Sequence, residues 1–291
     1  PRRVSHLRWY GEPPPNPNVL IAAFEGWNDA GEAASSAASF MAESWSLQRF
    51  ADIDPENFYD FTVTRPEVRL EGGKRTIEWP RNEFFGGTLP YGAGSVVVLK
   101  GTEPQLHWRS FLGAVDEVIE QLGITLIITL GALLADVPHT RPTRIVGSAF
   151  DDEVVSRLGL TKSQYEGPTG IVGVLHTQAL ERELDGASLW AAVPTYVPGT
   201  HSPKAQLALV ERCADLLGVP IGVHDLETAT ASYERTLDEL VGEDDETAAY
   251  VAELEEYFDN EEFQADVVDS ARGSVDQLMS QVEQYLREHP G

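Results

Sequence analysis

The strongest constraint on this chain is its stretch 18–45, where the apolar run Asn18-Val-Leu-Ile-Ala-Ala-Phe24 passes through Glu25-Gly-Trp-Asn-Asp-Ala-Gly31 into an Ala/Ser-rich segment ending near Trp45. A strand that hands over directly to a close-packed helix is a βα unit, which announces an α/β fold. In such sheets ligands and partners settle in the crevice beyond the carboxyl ends of the strands, so Glu25 to Asp29 stand where function is expected.

The same grammar continues downstream. Tyr59 to Thr64 alternates as a strand would, and Val68 to Trp79 reads as a hairpin closed by Gly72-Gly73. Ser95 to Leu99 is a short, continuous apolar run of the kind buried on both faces of a sheet. Phe111, Leu112, Val115, Val118, Ile119 and Leu122 then recur at three- and four-residue spacings, which predicts a helix over about 107–122. Ile124 to Leu130 predicts a buried strand, and Gly131 to Pro142 a loop at its carboxyl end, overhanging the same rim as Glu25. Gly170 to Leu175 and Ser188 to Val193 read as strands flanking a helix near 177–184. Pro194 to Lys204 forms another rim loop, with Ser202 capping a helix that opens at Pro203.

Beyond Pro220 the pattern turns wholly helical. Leu226, Ala229, Tyr233, Leu237 and Leu240 make one stripe, and Tyr250, Val251, Leu254, Tyr257 and Phe258 another. Val268, Val275 and Val282 then repeat every seven residues, with Ala271, Leu278 and Tyr285 three later. We therefore expect a core over 1–224 and an acidic helical extension over 225–291, packed on that core or on a neighbouring subunit.

Charge narrows the partners. The chain carries a formal −26, and residues 225–290 hold 20 Asp/Glu against 3 Arg. So negative a surface repels phosphate backbones and anionic lipid headgroups, which excludes nucleic acid and membrane as expected partners and favours a basic protein face. We expect no signal peptide, and no apolar run approaches the ~20 residues that span a bilayer. Cys213, the one cysteine, falls in the apolar pattern of a helix and reads as a core thiol. A cytoplasmic location is the expectation.

Four segments taken together resemble the PAC2 family, named for proteasome assembly chaperone 2, and point to an actinobacterial member. They are Phe24-Glu-Gly-Trp-Asn-Asp-Ala-Gly31, Leu133-Leu-Ala-Asp-Val-Pro-His-Thr-Arg-Pro142, Gly167-Pro-Thr-Gly-Ile-Val-Gly173, and Pro194-Thr-Tyr-Val through Pro203-Lys204. Their order, over about residues 18–260, is more specific than any one of them. The resemblance implies a three-layer α/β/α sandwich similar to purine nucleoside phosphorylases, and association into homo-oligomers. It does not imply an activity: eukaryotic relatives chaperone proteasome α-rings without catalysis. Some archaeal relatives engage the proteasome through a hydrophobic-Tyr-any-residue tail, a motif that His289-Pro290-Gly291 does not match.

The residues placed in rim loops that could meet a ligand are Glu25, Asn28, Asp29, His139, Arg141, His201 and Lys204, with Asp136 and Arg144 beside them. Two readings follow. One is a non-catalytic, assembly-chaperone-like interaction protein with a protein partner, for which the resemblance suggests the proteasome. The other is a nucleoside- or nucleotide-handling enzyme in which Arg, His or Lys holds an anion and a carboxylate or amide engages a purine. His139 and Arg141, one residue apart, would share a face if the segment is extended; the plainer outcome is Arg141 paired with a nearby carboxylate. Asp29 doubles as a first-turn acid favoured by a helix dipole. No cofactor or metal is expected. The seven histidines are scattered without His-Glu-x-x-His, and neither a phosphate-binding Gly-x4-Gly-Lys-Ser/Thr nor a Gly-x-Ser-x-Gly elbow occurs.

Overall fold

A computed structural model describes residues 5–163 and 165–260. In chain order its strands are β1 (Leu7–Trp9), β2 (Val19–Glu25), β3 (Gln48–Ile53), β4 (Glu67–Glu71), β5 (Lys74–Glu78), β6 (Asn82–Thr88), β7 (Ser95–Thr102), β8 (Leu126–Ala135), β9 (Ile145–Ala149), β10 (Thr161–Lys162) and β11 (Asp185–Pro194). The helices are α1 (Ala33–Ser44), α2 (Trp108–Leu122), α3 (Asp152–Leu158), α4 (Ile171–Glu181), α5 (Pro203–Leu217), α6 (His224–Gly242) and α7 (Asp245–Asp259). Nine of these strands form one sheet in the order β1-β3-β6-β7-β2-β8-β11-β9-β10, while β4 and β5 pair as a separate hairpin.

The alternation along β2 decides the layering. Val19, Ile21 and Ala23 point into one apolar layer with α1, α3 and α5, through Ala34, Ala38, Met41, Val154 and Leu209. Leu20, Ala22 and Phe24 point into the opposite layer, filled by Phe111, Val115 and Val118 of α2 and by Ile171 and Leu175 of α4. Helices on both faces of a mixed sheet make the expected α/β sandwich. The four central strands β7, β2, β8 and β11 run parallel. Their carboxyl ends therefore share one edge, and short hydrogen bonds continue across it, from Glu103 N to Glu25 O (2.8 Å) and from Thr195 N to Ala135 O (3.1 Å).

Several expectations are corrected. Residues 171–175 are helical rather than extended: Ile171, Val172, Leu175 and Ala179 all fall on one buried face of α4, and Glu103 Oε1 accepts the first helical N–H, from Ile171, at 2.8 Å. Tyr59 to Thr64 is a turn, because the Asp60 carboxylate accepts from both the backbone N–H and the hydroxyl of Thr62. β8 runs on through Gly131 to Ala135, so the rim loop begins later than the sequence suggests. Gly131 is needed there, since a Cβ would lie 2.6 Å from the Trp190 ring. Gly86 and Gly87 lie inside β6.

Cys213 is fully buried in α5, and Ser202 Oγ caps that helix by accepting from Ala205 N at 3.3 Å. Among the described residues no helix is long and apolar enough to cross a membrane. The heptad pattern at 268–285 lies outside the described residues.

Candidate functional site

The chain leaves β2 at Gly26, whose φ of +132° suits glycine, and the following residues turn back over the strand ends. Asn28 O accepts from Ala132 N at 2.8 Å, and Asp29 pairs with Ala132 as a short parallel bridge. The segment 26–29 is thus anchored to β8 as well as β2. Asp29 is buried and works locally: one carboxylate oxygen accepts from Ala34 N (2.7 Å) and Ser35 N (3.1 Å), the other from Ser35 Oγ (2.5 Å). It holds the first turn of α1. Burial raises its pKa, with the Ser35 and Ala34 hydrogen bonds acting in the opposite direction.

Beside it, Asn28 Nδ2 donates to Glu103 Oε1 (3.1 Å) and Thr102 Oγ1 donates to Glu25 Oε2 (3.2 Å). Glu103 therefore ties the amide of Asn28 to the start of α4. Sequence reasoning passed over this residue. The signal was available, because Glu103 follows β7 directly, as Glu25 ends the neighbouring parallel strand.

The cationic candidates sit elsewhere on the edge, underneath α6 and α7. His139 is 2% exposed; its Nδ1 lies 2.7 Å from Tyr196 Oη and its Nε2 3.1 Å from an Asp238 oxygen on α6. Arg141 makes a forked contact with Asp259, at 2.8 Å through Nε and 2.6 Å through Nη2, and reaches Glu255 at 3.3 Å. That contact lowers the Asp259 pKa. Lys204 Nζ donates to His139 O at 2.5 Å and to Glu234 on α6. The Arg144 guanidinium lies over the Phe258 ring at 4.8 Å, and burial lowers its pKa to about 10. Tyr250 on α7 donates to Asp136 at 2.8 Å. His201 is exposed at the approach to α5.

His139 and Arg141 thus engage different carboxylates instead of jointly facing one anion, and the plainer of the two sequence readings describes them. The packing that holds the helices here is part of the apolar stripes of the sequence: Leu226, Tyr233 and Leu237 of α6 and Val251 and Leu254 of α7 are buried, whereas Ala229, Leu240 and Tyr257 of the same stripes are exposed. The outward side of both helices keeps exposed acids, among them Glu239, Glu243, Asp245, Glu246, Glu253 and Glu256. Chemically, this edge offers cations that are already neutralised and a broad anionic outer surface. Among the described residues no cluster of three or more His, Cys, Asp or Glu is arranged to hold a metal ion.

The structure is similar to that of a PAC2 family protein from Streptomyces avermitilis, with 40% identity and a TM-score of 0.74 over 82% of this chain and 99% of the other. It is equally similar to a Mycobacterium tuberculosis protein described as a proteasome-assembly chaperone homologue, at 40% identity and TM-score 0.73 over 80% and 99%. Pyrococcus furiosus PbaB, an archaeal proteasome activator, shares the fold at 17% identity, with a TM-score of 0.65 over 80% and 97%. A search of curated proteins finds no match. The profile of the PAC2 family matches residues 23–241, and the chain belongs to that family.

Proposed function

We propose that this chain is a protein-interaction protein with an assembly-chaperone-like role toward proteasome subunits, and that the face formed by α6 and α7 over the strand ends receives the partner. The observation that carries this reading is the pairing of His139, Arg141 and Lys204 with Asp238, Glu255, Asp259 and Glu234. Side chains held in this way are withdrawn from anion binding, while the acids left on the outer faces of the same helices suit a basic protein surface. The kinship with a mycobacterial proteasome-assembly chaperone homologue at 40% identity supports the choice of partner. Division into a core, 1–224, and a helical extension, 225–291, belongs to this proposal, as does a cytoplasmic site of action, which cell fractionation would check.

Homo-oligomerisation is part of the same reading. Val68, Leu70 and Ile77 on one face of the β4–β5 hairpin are all more than half exposed, and an isolated two-stranded ribbon is marginal without a surface to lie on. Native mass spectrometry tests both parts. The chain alone should appear as an oligomer and, mixed with proteasome α-subunits of its own organism, as a salt-sensitive complex that removal of residues 225–291 abolishes. A monomer at micromolar concentration would sink the first part, and complex formation unaffected by the truncation would sink the second.

A further inference from the structure

Clear of α6 and α7, an apolar groove of about 200 Å³ opens between α4, β9 and β11. Its walls include Leu133, Val146, Phe150 and Trp190, all half-buried, and Trp27, which is exposed. Buried Ser148 and His176 also line it, and among the described residues no Lys, Arg, Asp or Glu does. Leu180, one turn along α4 from the lining residue Thr177, extends the apolar surface and is 48% exposed. We propose that residues 268–285 of this same chain form an amphipathic helix that lays its apolar stripe in the groove.

Three observations select that occupant. The first is where the described chain ends. Phe258 lies against the Arg144 guanidinium and Asp259 is held by Arg141, so α7 delivers Asn260 to the start of β9. Arg144 stands two residues before Val146, and its carbonyl accepts from the N–H of Ala192, another lining residue, at 3.1 Å. The second is reach. Residues 261–267 span up to about 25 Å when extended, whereas the whole of five-residue β9 covers about 17 Å, so the stripe can begin at either end of the groove. The third is pattern. Val268, Ala271, Val275, Leu278, Val282 and Tyr285 recur at alternating three- and four-residue spacings, and every charged residue of that stretch, Asp269, Arg272, Asp276 and Glu283, falls off the stripe. Apolar side chains at this spacing enter an uncharged groove while the charged flank stays in water.

The proposal concerns how the chain covers its own surface and is separate from the choice of partner. Hydrogen exchange on the full chain tests it from both sides. The amides of 268–285 should exchange about tenfold or more slowly in the wild type than in Leu278→Asp, which puts a charge on the stripe, or in Thr177→Glu, which puts one in the groove. Thr177 is exposed on α4, so its substitution leaves the packing of the body intact. p-Benzoylphenylalanine placed at Leu180 gives a second reading. On illumination at micromolar concentration it should crosslink to residues 268–285 within one chain, which keeps the mass of a single chain on a denaturing gel. Equal exchange in the three proteins, or slowing that is lost in Leu278→Asp but kept in Thr177→Glu, would overturn the proposal. So would the absence of a crosslink to 268–285, or crosslinks that join only two chains, which would mean that a second copy fills the groove.

Discussion

Phe111→Ala should lower the unfolding free energy by about 3–5 kcal/mol, the range for removing a fully enclosed aromatic ring from a packed interior. Phe111 is completely buried, edge-on to Phe24 with centroids 5.9 Å apart and to Phe58 at 5.4 Å. It joins α2 to Phe24, near the end of β2, so the void would open against that strand. Urea titration would show the midpoint moving to lower denaturant with an unchanged slope. Phe111→Leu, which retains most of the volume, should cost far less. A loss under about 1 kcal/mol for the alanine variant would mean that this layer is not packed as described.

Acidification should destabilise the chain through His176. Burial lowers the pKa of its imidazole from 6.5 to about 4. The unfolded chain therefore takes up the proton first. Stability from this group is intact above pH 6.5 and is lost as the pH falls toward 4. Between pH 7 and pH 5, a window above the isoelectric point near 4.5, the wild type should lose about 2 kcal/mol more than His176→Leu. All other titrating groups are common to both chains, so the difference isolates the one residue. Parallel pH profiles for the two proteins would show that His176 is solvated or charged in the folded state.

Local periodicity made much of the fold legible. The βα unit at 18–45, the stripe of α2, the cap at Ser202 and the two helices after Pro220 each leave a pattern within about fifteen residues, which packing then preserves. Elements whose identity depends on distant partners were hidden. β6 contains Gly86-Gly87 and reads as a weak strand, yet Gly86 is required because a Cβ would lie 2.5 Å from the Pro14 ring. Ile171-Val172 has a β-branched bias, but the layer beneath it and the cap from Glu103 make it helical.

The candidate residues show the same division. The placement of Glu25, Asn28 and Asp29 beyond a strand end could be read from neighbouring sequence. The partners that set the chemistry of His139 and Arg141 lie 99 and 118 residues further along the chain, and nothing local marks Asp238 or Asp259 among so many acids. Ser148, His176 and Trp190 were passed over for a related reason, since they converge only when β9 folds back antiparallel to β11.

Hydrogen exchange of α7 tests the docking of the helical pair over the strand ends most directly. In the wild type the amides of Asp245–Asp259 should be protected. Arg141→Glu, which replaces the forked contact to Asp259 and the reach to Glu255 with repulsion, should accelerate their exchange about tenfold, with little effect on β2 or β8. Rapid exchange of α7 in the wild type, or identical rates in the variant, would contradict the account.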